Sequence, residues 1–291
     1  MNLRSAWNSF VVLAAMCFFA AAIAAQEKNE KPENSGAQAC ASCHESHKQN
    51  YEMWAASGHS KALSPIINNS QASPDCYSCH SDEGFKAKQL GQKVDIAKKE
   101  SFNPVTCITC HKPHDSKIPH HLVMDAEDLC SSCHQQRAVL QGKGAKGLDE
   151  MRSFHSGVDC VSCHMSEGNH LMKVIRPDDP SLSDKRIDTC TACHRDNNRK
   201  ARMGQIQQWQ ASYKEMMERL QADLKAIGAA LKEKPNLLDE KAKLKLNDVR
   251  FNLQILEKDG SHGAHNIDFA TEIMSLAEKG LKPMKAGIGQ K

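Results

Sequence analysis

The chain has 291 residues, 40% of them hydrophobic and 5% aromatic, with 38 basic against 35 acidic side chains and a net charge of +3. So slight a charge gives no reason to expect nucleic acid as a partner, and 13 cysteines are too many for an ordinary cytoplasmic domain. Eight Phe, three Trp and three Tyr, with no sustained apolar run between the first 25 residues and residue 200, leave most of the chain short of the side chains that usually fill an interior.

Arg4 is the only charge before Glu27, residues 11–25 are apolar or small, and Ala22-Ile23-Ala24 forms an A-x-A cleavage signal. Residues 1–24 therefore read as a secretory signal peptide, against the alternative of an uncleaved anchor. Cys17 falls inside it, and Met16 is too large to precede a lipidated cysteine. Export places the mature chain in a periplasmic or other extracytoplasmic compartment, where disulfides are permitted. Residues 25–39 are polar and read as a disordered leader.

The remaining twelve cysteines all fall in one pattern. Cys40 and Cys43 precede His44, Cys76 and Cys79 precede His80, and Cys107 and Cys110 precede His111. Cys130 and Cys133 precede His134, Cys160 and Cys163 precede His164, and Cys190 and Cys193 precede His194. On a helical turn, positions i, i+3 and i+4 share a face. Two thiols there can form thioethers with the vinyl groups of one haem, and the next imidazole reaches its iron; C-x-x-C-H is the c-type haem attachment pattern. A disulfide framework gives no reason for a histidine after every pair. Structural zinc draws on two separated pairs, and a thioredoxin-like motif would be single and set near a βαβ unit. Six covalent haems c are expected, and they would supply the missing interior. Motif starts lie 36, 31, 23, 30 and 30 residues apart, a recurrence without the fixed period of a solenoid.

Nine further histidines are candidates for the opposite face of each iron: His47, His59, His114, His120, His121, His155, His170, His262 and His265. Local context favours His59, His114, His120, His155, His170 and His265. Bis-histidine ligation would leave no iron open to substrate, giving low-potential electron carriers and no catalytic residue.

Residues 40–198 thus read as a hexahaem region, with four haems in 40–140 and two in 155–198, joined through the glycine-rich QGKGAKG of 141–147. Beyond it, Ile206, Trp209, Tyr213, Met216, Leu220, Leu224, Ile227 and Leu231 recur every three or four residues, predicting an amphipathic helix of about eight turns. Pro235 breaks it and Asn236 reads as the next cap. Leu238, Ala242, Val249, Leu253 and Leu256 mark a second helix that stops at Asp259-Gly260. A shorter one is expected over about 265–281. Residues 199–291 are therefore a long antiparallel helical hairpin plus a returning helix, and the fold class is mainly α with extensive loops.

From about residue 155 onward the chain resembles the carboxyl-terminal half of ammonia-forming cytochrome c nitrite reductase. The shared features are His155 ahead of the Cys160–Met165 segment, then His170, the Cys190 motif, long antiparallel helices, and Ser261-His262-Gly263-Ala264-His265. The resemblance implies distal-ligand roles for His155, His170 and His265. The stretch CITCHKPHDSKIPHHLVMDAEDLCSSCH is similar to the doubled C-x-x-C-H unit of multihaem electron carriers, which supports His114. Residues 54–59 look like the distal-histidine stretch of other multihaem cytochromes. Departures bear on activity: no C-x-x-C-K motif exists, and Gly147-Leu148-Asp149-Glu150 stands where that family has Gln-His-Pro-Glu. The expected function is electron transfer between redox partners, such as a quinol-oxidising cytochrome and a terminal reductase. A nitrite or hydroxylamine reductase with one open haem, and a subunit docked into a larger complex or a homodimer through its helices, are the alternatives.

Overall fold

The computed structural model describes residues 47–112, 115–182, 187–195 and 198–289, all within one compact unit, Ser35–Lys291. The expected signal peptide and leader, together with Cys40, Cys43, His44 and His114, lie outside the described residues. Described helices are α1 (Lys48–Ala56), α2 (Ser64–Ile67), α3 (Pro74–His80), α4 (Asp82–Gln89), α5 (Cys107–Cys110), α6 (Ala126–Ser131) and α7 (Gln136–Leu140). They continue with α8 (Cys160–His164), α9 (Thr189–Cys193), α10 (Arg199–Glu233), α11 (Glu240–Asp259) and α12 (Ile267–Gly289). Among the described residues extended pairing is limited to one antiparallel bridge, His111 with Leu122. The architecture is mainly helical, as composition and spacing predict, and no described helix is long and apolar enough to cross a membrane.

The two halves are built differently. From residue 47 to 195 the helices are short, and buried apolar side chains are scattered: Trp54, Ile66, Tyr77, Phe85, Val105, Leu129, Val139 and Ile175. Polar ties hold them. Trp54 Nε1 donates to the Val105 carbonyl at 2.9 Å. Asp82, 7% exposed, accepts from Thr106 N at 2.8 Å and from the hydroxyls of Thr106 and Thr109, locking α4 to α5. Burial raises the Asp82 pKa, and these hydrogen bonds partly offset the rise. Gly84 allows α4 to cross α3, since a Cβ there would lie 2.1 Å from the Tyr77 carbonyl oxygen.

α10, α11 and α12 form an ordinary apolar core. Leu220, Ile227, Leu246, Leu253, Leu256, Phe269, Ile273 and Leu281 are at most 1% exposed, each contributing roughly 1.5–3 kcal/mol by burial. The expected hairpin is present and becomes a three-helix bundle, because α12 packs against both α10 and α11. Tyr213 Oη donates to the Leu256 carbonyl at 3.3 Å, joining the hairpin's arms.

Three details differ from the sequence reading. Asp239 caps α11 through Ala242 N, whereas Asn236 belongs to the preceding turn; periodicity is too coarse to choose between nearby caps. Met217 is more deeply buried than Met216, being 6% exposed. α12 runs on through Pro283 to Gly289. Leu281 and Met284 are buried on either side of that proline, so packing outweighs its helix penalty.

The QGKGAKG strap is clipped to the bundle. Asn252, 2% exposed, accepts from Lys146 N at 2.8 Å and donates to Lys146 O at 2.9 Å. Gly142, at φ 65°, admits no side chain, because a Cβ would lie 1.8 Å from Met151 O. Asn266 is a second clip. Its Oδ1 accepts from Phe269 N at the start of α12, and its Nδ2 donates to Val139 O and Met151 O at 3.2 and 2.6 Å. Asn266→Ala should cost roughly 2–3 kcal/mol, the sum of a lost cap and buried hydrogen bonds. Asn266→Ser, which keeps the cap, should cost less. Denaturant midpoints of the holoprotein at unchanged slope check both.

Candidate haem-binding site

Each described C-x-x-C-H is a helical turn or ends one. α3 and α8 contain their motif histidines His80 and His164. In the other three, the histidine N–H donates back to the carbonyl of the first cysteine: His111 to Cys107 at 2.8 Å, His134 to Cys130 at 2.9 Å and His194 to Cys190 at 2.9 Å. That closure is the i to i+4 geometry that puts both thiols and the imidazole on one face. Asp159 and Asp188 cap the turns of the fifth and sixth motifs by accepting from Ser162 N and Thr191 N. These aspartates carry no marker in the motif and were not singled out from sequence; the preference of aspartate for the position before a helix was the available signal.

Facing these turns are the second histidines. His59 lies opposite His134 with ring centres 5.9 Å apart, His170 opposite His111 at 6.3 Å, His155 opposite His194 at 6.0 Å, and His265 opposite His164 at 6.2 Å. Two metal–imidazole bonds of about 2.0–2.1 Å, plus roughly 1 Å from nitrogen to ring centre on each side, give about 6 Å. The spacing fits one iron between each pair.

The free ring nitrogen is also settled. Nδ1 of His111 donates to His120 O at 2.8 Å, Nδ1 of His164 to Met172 O at 3.3 Å, Nδ1 of His170 to Gly168 O at 2.8 Å, and Nδ1 of His80 to Ala62 O at 2.6 Å. Nδ1 of His265 bonds the Asp259 carboxylate at 2.6 Å. With Nδ1 carrying the proton, Nε2 presents its lone pair to a metal. Burial lowers the pKa values of His59, His111, His134 and His155, with His134, His170, His164 and His194 respectively adding to the effect. Each is thereby held in the neutral, ligating form.

Two of those carbonyls come from strained backbone. His120 has φ 58° and Met172 φ 51°, a left-handed conformation that non-glycine residues adopt at a cost. Each turns its carbonyl toward the imidazole of a motif histidine. For His120, proposed from sequence as a distal ligand, the described contact to His111 is made by its backbone oxygen.

None of the ten described cysteines is paired in a disulfide, and their neighbourhoods link one motif to the next. Burial raises the Cys110 thiol to about 12, with Asp82 and Cys133 adding to it. Cys130 is raised first by a hydrogen bond with Cys160 and then by burial. Burial raises Cys133, beside Cys79, and Cys163, beside Cys193. Thiolates are disfavoured at Cys110, Cys130, Cys133 and Cys163, where neutral thioethers are suited, whereas the hydrogen bond with Cys130 lowers Cys160 to about 6. The second and third motifs thus adjoin the fourth, the fourth adjoins the fifth, and the fifth adjoins the sixth.

Residues 39–112 match the family cytochrome c554 and c-prime, and residues 100–139 match the doubled CXXCH motif family. Among solved structures, the fold is similar to the outer cell wall cytochrome OcwA, with 28% identity, a TM-score of 0.68, and 80% of this chain and 50% of that one covered. It is also similar to the undecaheme cytochrome from the S-layer of Carboxydothermus ferrireducens, with 22% identity, a TM-score of 0.55, and 77% and 40% covered. No curated protein matches. The chain spans half or less of the length of these two cytochromes. Motifs, family matches and fold together support a multihaem c-type cytochrome with covalently bound haem c.

If His59 is an axial ligand, His59→Ala should expose one iron to exogenous ligand and add a high-spin signal. His120→Gly, which relieves the left-handed strain and keeps the carbonyl, should open one further iron if the imidazole ligates, and leave the spectrum unchanged if His120 acts through its backbone alone. Cyanide titration of each holoprotein separates these outcomes.

Proposed function

We propose that the protein is an exported hexahaem c-type cytochrome that passes electrons along a continuous row of haems between redox partners in anaerobic or respiratory electron transport. The observation that carries this reading is the adjacency of the five described attachment turns, the second and third to the fourth, the fourth to the fifth and the fifth to the sixth, which would bring their haems into contact. A quinol-oxidising cytochrome as donor and a terminal reductase as acceptor are the partner classes it suits.

Bound haem c supplies reversible one-electron chemistry at each position. The polypeptide does the rest. In each motif the two cysteines would tether a haem, and the following histidine, from His44 to His194, would ligate its iron. His134 is opposed by His59, His111 by His170, His194 by His155 and His164 by His265. His114 and His120 remain the distal ligands proposed for two further haems, with His47, His121 and His262 as the other candidates. Hydrogen bonds at Nδ1 fix the rings. Iron held between two such imidazoles would offer substrate no position, so no residue is assigned acid–base catalysis. The assignment of residues 1–24 as a signal peptide, 25–39 as leader, 40–198 as haem region and 199–291 as helical region belongs to the same proposal. A cell-envelope location is supported by the outer cell wall and S-layer origins named for the two similar structures.

Mass spectrometry of the purified holoprotein should find one added haem for each C-x-x-C-H motif. Its room-temperature magnetic spectrum should be fully low-spin. A high-spin fraction that binds nitrite or hydroxylamine and reduces it would replace the carrier reading with that of a reductase.

A further inference from the structure

The His164–His265 pair differs from the others at its outer end. At His80, His111, His164 and His170 the acceptor for Nδ1 is a backbone carbonyl. At His265 it is a carboxylate: Asp259 Oδ1 lies 2.6 Å from Nδ1, and the Asp259 side chain is 3% exposed. This is a built arrangement. Asp259 ends α11, and Gly260 at φ 65° reverses the chain behind it. Ser261 then folds back, donating from its hydroxyl and from its backbone N, at 3.3 Å, to Asp259 Oδ2. Ser261 Oγ in turn accepts from His265 N at 3.2 Å. Among the described residues no lysine or arginine pairs with Asp259, so its charge is directed at the imidazole. The charge is felt near by: the Tyr213 hydroxyl is raised to about 12, chiefly by burial and next by Asp259.

We propose that Asp259 is a positioning and tuning residue that makes the haem held by His164 and His265 the low-potential member of the row. The proposal rests on reading these rings as axial ligands. A carboxylate accepting from Nδ1–H draws the proton outward and makes Nε2 a stronger electron donor. Ferric iron carries one more positive charge than ferrous iron, so it gains more from that donation. The buried negative charge itself favours the ferric form in the same direction. The redox step is the one-electron interconversion of ferric and ferrous iron, with the electron exchanged with a neighbouring haem and no bond made or broken in Asp259 or His265. Since the fifth motif adjoins both the fourth and the sixth, the low-potential position falls inside the row, where an electron passes through and does not rest.

The test is a spectropotentiometric titration of wild-type, Asp259→Asn and Ser261→Ala holoproteins, with magnetic spectra recorded for each. Asp259→Asn should favour reduction of one component about tenfold, an upward shift of about 59 mV for one electron, while the low-spin signals persist. Ser261→Ala withdraws a hydroxyl donor from the carboxylate, leaves it a stronger acceptor for Nδ1–H, and should move the same component downward. If neither variant moves any component, while His265→Ala opens one iron to cyanide, the tuning role is overturned and the ligand reading stands. If His265→Ala opens none, the ligand reading fails and takes the tuning role with it.

Discussion

An imidazole binds metal productively only when one nitrogen is free and the ring is pointed. For the motif histidines His80, His111 and His164 both conditions come from the backbone. The turn closed between the histidine N–H and the first cysteine carbonyl points the ring, and the hydrogen bond at Nδ1 frees the other nitrogen. Supplying that acceptor bends the chain into unfavourable conformations at His120 and Met172. Strain at two such positions, of order 1–3 kcal/mol each, is a modest cost beside the orientation it secures.

This dependence on backbone oxygens explains the contrast between the two parts of the molecule. Residues 47–195 use turns, caps and buried polar ties, with few apolar side chains meeting one another. The bundle of α10, α11 and α12 uses the opposite means, a dense aliphatic core with a polar surface. Asn252 and Asn266 couple them by bonding the backbone at Lys146, Val139 and Met151. Val139 itself is buried in the bundle's core. His265, between α11 and α12, is thereby presented from the bundle's own framework.

The attachment turns were legible because their chemistry is local: thiol, thiol and imidazole within five residues. The long helices were legible because their apolar spacing persists over many turns. Partner choice was not. His59 meets His134, and His265 meets His164, across 75 and 101 intervening sequence steps that no local pattern encodes. Asp259 read from sequence as a helix stop, and its bond to His265 emerges only when the Gly260 reversal is in place. His120 had the right residue type in the right neighbourhood, yet its contribution to His111 comes from an atom every residue possesses. Side-chain identity says little about where a carbonyl will point.

The bundle's dense core bears on how such a protein is made. Its apolar interior is complete in amino-acid side chains, so it needs no cofactor to collapse. Among the described residues, 47–138 contribute no comparable cluster. The expected order of assembly follows from that difference: the carboxyl-terminal helices first, residues 139–151 upon them, and the C-x-x-C-H turns last.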